Sequence, residues 1–258
     1  MKNERPTILV VNDDGIDAPG IQTLIEAMKE LGKVVVVAPD GPQSGMGHAI
    51  TINKPLRLDR VHIYPDVEMY KSSGTPVDCV KLAVNKVFKG KKPDLCVSGI
   101  NHGLNHSINV IYSGTMSAAV EGAIESIPSI GFSYDDFTYD ADFKQCVPYI
   151  KLIAKQVLEQ GLPHGTLLNV NFPKTQAIQG IKICRQANAK YAEEFDERLD
   201  PHKRNYYWLT GVFQHNDKGE DTDVWALNNN FVSVVPVQFD LTAHHAIPYL
   251  NNWQLDVK

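Results

Sequence analysis

Three continuous runs of apolar, largely β-branched residues constrain this fold most: TILVVN at 7–12, KVVVVA at 33–38 and DLCVS at 94–98. Alternation would mark a strand with one wet face, whereas an unbroken run marks a strand buried on both faces. Each run leads through a loop into a segment of helical period. After Pro19, the residues Ile21, Leu24, Ile25, Met28 and Leu31 fall on one stripe, and Gly32 stops it. After Gly74-Thr75-Pro76, the residues Val77, Val80, Leu82, Val84 and Val87 build a second helix, and Ser113 caps a third that reaches about Ser126. Shorter strands over 68–72 and 128–133 continue the series. Strand, loop and helix in repetition require parallel strands with right-handed crossovers. The expected fold is α/β: a Rossmann-like, doubly wound, mainly parallel sheet with helices on both faces.

Beyond a long helix expected over 142–159, the pattern changes. Residues 167–172 read as another strand, but 206–213 and 231–237 look antiparallel. Segment 189–204 is charged and weakly patterned, and is expected to form an extended arm for a partner subunit. Residues 241–253 have helical spacing and close the chain. Residues 49–58 alternate and are broken by Pro55, which suggests a hairpin arm outside the main sheet. The chain therefore divides into an α/β core over 1–185 and an oligomerisation part over 186–258, with arm, antiparallel strands and C-terminal helix.

The charge balance excludes some functions. With 30 acidic and 25 basic residues the net charge is −5, which gives no electrostatic footprint for duplex nucleic acid. No stretch has the length and apolarity of a membrane span. The opening MKNERPTILVV lacks the apolar run of a signal peptide, so a cytoplasmic protein is expected. The four cysteines, Cys79, Cys96, Cys146 and Cys184, form no CxxC pair and read as small hydrophobes rather than zinc ligands.

The polar residues concentrate where the strands end. The first strand runs into Asn12-Asp13-Asp14-Gly15, the second into the Asp40–Gly45 loop, and the strand at 94–98 into Gly99–Asn105. In a doubly wound sheet all three lie on one rim, the rim that binds ligands. One Asp-Gly pair is most simply a turn. Two adjacent carboxylates with a hydroxyl and a carboxamide on neighbouring strand ends make an all-oxygen set, which suits a hard cation such as Mg²⁺ or Mn²⁺. Without a cation, two crowded carboxylates would repel and one would take up a proton. Ser113-Gly114-Thr115 opens a helix, where free N–H groups and hydroxyls form a cradle for an anion. The small loop Ser44-Gly45-Met46-Gly47 lets a ligand approach the backbone.

NDDGIDAPGI, APDGPQSG, GTPVDCV, PDLCVSGINHGLN and YSGTMSAAVEG, in that order, resemble the successive signature blocks of the SurE (survival protein E) family. The C-terminal VSVVPVQFDLT, followed by a segment with Trp253, is similar to the family's end. The resemblance implies a divalent-metal-dependent phosphatase that hydrolyses nucleoside 5′-, and with them 3′-, monophosphates and short polyphosphate. It implies one Mg²⁺ or Mn²⁺ per subunit held by Asp13, Asp14, Ser44 and Asn101, with catalysis by Asp13 and Asp14. It also implies phosphate contacts from Ser113, Gly114 and Thr115, to which we add Gly45 and Asn105, and a homodimer or homotetramer built through the arm and the C-terminal segment. The chain departs from the family at His102 and His106, which flank Asn105 where smaller residues are expected, and at Asn109-Val110-Ile111, which replaces a more acidic stretch. These departures bear on substrate preference: the two histidines contact phosphate or sugar or, as the expected reading, are solvated loop residues. His244 and His245 are expected at a surface or interface.

Other classes fit less well. A signalling receiver domain needs an acceptor Asp after its third strand, where this chain has Lys71-Ser72-Ser73-Gly74. A dinucleotide-dependent oxidoreductase needs a glycine-rich turn where Asp13 and Asp14 stand. A haloacid-dehalogenase-type phosphatase separates its two acids by one residue. A non-catalytic nucleotide-binding or stress-response module is the remaining alternative, and turnover alone separates it from an enzyme.

Overall fold

The computed structural model describes residues 5–138 and 140–255. The chain runs β1 (Thr7–Val11), α1 (Pro19–Lys29), β2 (Lys33–Pro39), β3 (Leu58–Val61), β4 (Glu68–Ser72), α2 (Pro76–Leu82), β5 (Leu95–His102), α3 (Gly114–Ile124), β6 (Ser129–Tyr134), α4 (Val147–Gln160) and β7 (Thr166–Phe172). It continues through β8 (Gly180–Ile183), β9 (Ala189–Ala192), β10 (Phe195–Leu199), β11 (Asn205–Leu209), β12 (Val212–His215), α5 (Asp223–Asn228), β13 (Phe231–Gln238) and α6 (Ile247–Leu250).

A nine-stranded sheet in the order β3-β4-β2-β1-β5-β6-β7-β13-β8 forms the core. Strands β4 to β7 in that order are parallel, while β3 is antiparallel to β4 and β13 to β7. The expected mainly parallel α/β sheet is therefore present. Successive side chains of β1 feed opposite faces. Ile8 and Val10 pack in the cluster with α1 and α4, and Leu9 and Val11 pack in the cluster with α2 and α3. Ile21, Leu24, Ile25 and Met28 of α1 are completely buried there, each stabilising the fold by about 1.5–3 kcal/mol. The winding reverses between β1 and β5, which makes the carboxyl ends of these two strands the switch point.

Several boundaries differ from the sequence expectation. Residues 49–57 form no hairpin arm. Thr75 Oγ1 donates to the Ala49 carbonyl at 2.7 Å and Thr51 N–H to Asp78 Oδ1 at 3.2 Å, so this stretch lies on the start of α2, and β3 then joins the sheet edge. The second helix narrows to α2, capped reciprocally by Thr75 and Asp78, and residues 83–87 continue as a wider π turn. The strand expected to stop at Ser98 extends to His102 after a register shift between Ser98 and Asn101.

The weakly patterned segment folds into antiparallel pairs, β9 with β12 and β10 with β11. The C-terminal segment has only a short 3₁₀ turn and the four-residue α6. Residues 186–258 also return β13 to the central sheet and pack α5 against it. All four cysteines are free and buried. No helix among the described residues is long and apolar enough to cross a membrane.

Candidate active site

The turn after β1 is closed by its own residues. Asn12 Nδ2 donates to the Gly15 carbonyl at 2.8 Å, and Gly15 takes a φ of +101° that a side chain would strain. A Cβ at Gly15 would also lie 3.3 Å from the Gly41 carbonyl carbon. The second loop is thereby seated against the first: Ile16 N–H donates to the Pro39 carbonyl at 3.0 Å and Gln43 N–H to the Asp13 carbonyl at 2.7 Å. A further bond, from Gly47 N–H to the Tyr112 carbonyl at 3.1 Å, joins the Ser44 loop to the start of α3.

Asp13 is 4% exposed, accepts a hydrogen bond from the Thr115 hydroxyl and abuts Gly114. A Cβ on Gly114 would stand 2.8 Å from the Asp13 side chain, so only glycine allows this approach. Burial, and then the neighbouring charge of Asp14, push the Asp13 carboxyl up to about 6, against the pull of Thr115 and of backbone N–H groups. Burial also raises Asp14, with His102 opposing it. Asp14 Oδ2 is buried without a hydrogen-bond partner among the described residues. Asn101 donates its amide to the carbonyls of His102 and Gly103, at 3.1 and 2.8 Å, which leaves its oxygen free of those bonds.

Asp13, Ser44, Gly45, Asn101, Asn105 and Ser113 line one cavity of about 550 Å³. No lysine or arginine among the described residues lines it. No three His, Cys, Asp or Glu side chains among the described residues gather as a metal-binding group. The donors available for a cation are thus two carboxylates with neutral hydroxyl and carboxamide oxygens, a set that suits Mg²⁺ or Mn²⁺. The buried Asp13 and half-buried Asp14, both with raised proton affinity, and the orphaned Asp14 Oδ2 fit that group.

Not every expected residue reaches the cavity. Asp14, Gly114 and Thr115 lie outside its lining. The Thr115 hydroxyl, expected on phosphate, is instead bound to Asp13. Ser113 is the N-cap of α3 and accepts from Met116 N–H at 3.0 Å, which leaves its own hydroxyl hydrogen available to a ligand.

Neither loop histidine is freely solvated. His102 Nδ1 lies 2.9 Å from the Thr138 carbonyl and its ring stands edge-on to Phe143, while the half-buried His106 ring lies 4.9 Å from Phe213. Their spacing alone did not signal partners this distant in the chain.

Further residues support the site from behind. Asn105 N–H donates to Asn171 Oδ1 and Asn105 Nδ2 to Ser133 Oγ, both at 2.8 Å, and Asn169 Nδ2 donates to the Asn105 carbonyl at 2.8 Å. Asn171 Nδ2 completes this buried ladder on Asn169 Oδ1 at 2.9 Å. The signal was two asparagines at i and i+2 inside an otherwise apolar strand. Asp223, also buried, accepts from Ser107 N–H at 2.7 Å and Ala187 N–H at 3.0 Å, stapling the site loop to the root of the arm.

Comparison with known proteins identifies relatives of the whole chain. The family model "Survival protein SurE" matches residues 8–193. A protein of Flavobacterium psychrophilum named 5′-nucleotidase SurE is 64% identical over 255 residues, covering 98% of this chain and 99% of that protein. Its namesake from Cytophaga hutchinsonii is 58% identical over 97% of this chain and 98% of that protein. The crystal structure of the SurE protein from Aquifex aeolicus superposes with a TM-score of 0.83 at 42% identity, covering 95% of this chain and 98% of that one. A rim of carboxylates at the switch point, with family blocks in order around it, leads to one conclusion: the chain belongs to the SurE family.

Proposed function

We propose that this protein is a divalent-metal-dependent 5′-nucleotidase, a phosphomonoesterase that cleaves nucleoside monophosphates to nucleoside and phosphate. One observation carries the reading: Asp13, with Asp14 next to it at the switch point, lines a cavity with Ser44, Asn101 and Ser113, and no lysine or arginine among the described residues lines it. A phosphate dianion enters such a site only if something neutralises the carboxylates. The names of the relatives point to the same activity.

Asp13, Asp14, Ser44 and Asn101 would hold the cation. Bound there, Mg²⁺ or Mn²⁺ would neutralise charge on the phosphoryl group and lower the pKa of a water. The Ser113 hydroxyl at the start of α3 would hold a phosphoryl oxygen, with Gly45 and Asn105 lining the approach. Water attacks phosphorus in line with the ester oxygen, one of the two carboxylates takes the water's proton, and as the P–O ester bond breaks that proton passes to the departing oxygen, which leaves as the nucleoside hydroxyl. Thr115 is a positioning residue, holding Asp13 through its hydroxyl.

The same pocket is proposed to accept 3′-monophosphates and short polyphosphate more weakly. Residues 186–258 are proposed to assemble the protein as a dimer or tetramer. Phe195, Tyr207, Trp208 and Leu209 on the β10–β11 hairpin, and Leu241, Tyr249 and Trp253 near the C-terminus, are exposed apolar surface in support.

Phosphate release from a panel of 5′- and 3′-monophosphates and tripolyphosphate, with Mn²⁺, with Mg²⁺ and with chelator, tests this. Release that chelator abolishes and that favours 5′-monophosphates supports the reading. Folded protein that releases no phosphate with either metal overturns it and leaves a nucleotide-binding module.

A further inference from the structure

The loop that carries Ser44 is held by its ends. Gln43 N–H fixes its start on the Asp13 carbonyl at 2.7 Å, and Gly47 N–H fixes its end on the Tyr112 carbonyl at 3.1 Å. Between them Ser44, Gly45 and Met46 are exposed and make no backbone hydrogen bond among the described residues. Gly45 and Gly47 take φ values of +72° and +55°, so this stretch has little stiffness of its own. The next residue closes it. His48 Nε2 lies 3.1 Å from Glu121 Oε2 on α3. Glu121 is 1% exposed, and Lys81 Nζ of α2 stands 2.6 Å from its Oε1. Burial works against that charge, but the pull of His48 and Lys81 outweighs it, and the carboxyl stays below the usual range. A buried carboxylate paired on both oxygens is a stiff anchor, because breaking either pair strands charge in the interior.

We propose that His48 is a positioning residue for the cation-binding rim: its bond to Glu121 sets the Ser44 hydroxyl against Asp13. The proposal rests on the metal-binding reading of that rim. Helix α3 is the element that both contacts share. Thr115 in its first turn bonds Asp13, and Glu121, about 9 Å further along the axis, bonds His48. One helix thereby gauges the gap between two ligands that come from different strand ends. With its proton on Nε2 the ring donates to the carboxylate whether neutral or charged, so the latch does not need an ionised histidine.

Calorimetric titration of the full-length protein with Mn²⁺ alone tests this. The His48 side chain is 37% exposed, and solvent tempers its bond. His48→Ala should therefore weaken Mn²⁺ binding by about threefold to fivefold. His48→Gln, whose amide N–H reaches the same oxygen, should restore most of the affinity. In a Ser44→Ala background His48→Ala should change nothing further, since the ligand it places is gone. Hydrogen exchange without metal gives a second reading. In His48→Ala the Gly47 amide should exchange faster, while the Gln43 amide, held by Asp13, keeps its wild-type rate. Unchanged Mn²⁺ affinity in His48→Ala, or the same loss with and without Ser44, overturns the latch while leaving the metal site intact. A wild type that binds no Mn²⁺ overturns both.

Discussion

The Thr115 hydroxyl donates to Asp13 Oδ1, tying the first turn of α3 to the end of β1 across 102 residues of chain. Gly114 makes the approach possible, since any side chain there would strike Asp13. This bond stabilises the charged carboxylate, so Asp13 stays ionised to lower pH than burial alone would allow. Thr115→Val keeps the shape and removes the donor. A hydrogen bond to a charged group is worth about 1.5–3 kcal/mol, so Mn²⁺ affinity at pH 7 should fall at least about tenfold. Thr115→Ser should restore it. Unchanged affinity in the valine variant, measured by calorimetry, would show that Asp13 does not depend on this bond.

Asp13 also couples function to stability through pH. Its carboxyl is raised from 3.8 to about 6 by burial and by Asp14. The sign follows: the protonated form is favoured in the fold, so that stabilisation is complete below about pH 4 and is lost as pH rises through 6. A shift of that size corresponds to about 3 kcal/mol. In chelator at pH 8, Asp13→Asn should therefore melt higher than the wild type, and the gap should close at pH 4.5. Saturating Mn²⁺ should reverse the order at pH 8, while the variant releases no phosphate. A gap that ignores pH would remove Asp13 as its source.

Much of this was legible in the chain. The runs at 8–11 and 34–38 have no polar residue to turn toward water, so both read as central strands, and their ends as the ligand rim. Asp13 and Asp14 were read from that rim and Ser113 from the helix start beyond it, while Ser44 and Asn101 as ligands came from the family resemblance. Local pattern could not find Thr115 on Asp13 or His106 beside Phe213, because both contacts join elements distant in sequence. It also stopped β5 at Ser98, since the register shift that carries Asn101 and His102 onward comes from pairing with β6. Segment 189–204 looked unpatterned because its strands pair in narrow two-stranded ribbons that bury little on either face.

The asparagine ladder behind the cavity should be costly to interrupt. Asn171 accepts from Asn105 N–H and donates to Asn169, and it is completely buried. Asn171→Leu leaves both partners unsatisfied in the interior. At about 1–3 kcal/mol for each stranded group, the variant should lose about 2–5 kcal/mol in urea unfolding, with a fall in activity as the Asn105 loop relaxes. A loss below about 1 kcal/mol would mean that water repairs the ladder.

Asp223 joins the site loop to the arm, and that linkage can be separated from folding. Its two oxygens collect the N–H groups of Ser107, Ala187 and Val224 at 2.7 to 3.0 Å. Ser107 has a φ of +52°, a conformation this residue type holds only under restraint. Asp223→Ala strands these donors and should cost about 2–4 kcal/mol. The central strands β1 and β5 do not touch Asp223 through these bonds, so their amides should keep their relative protection. Hydrogen exchange should accelerate at residues 106–109 and 187–192 ahead of the remainder of the chain. With the loop released from the arm, KM for a nucleoside monophosphate should rise more than kcat falls, because Asp13 and Asn101 keep their own supports. Exchange that accelerates uniformly would show that Asp223 stabilises the whole fold rather than linking these two segments.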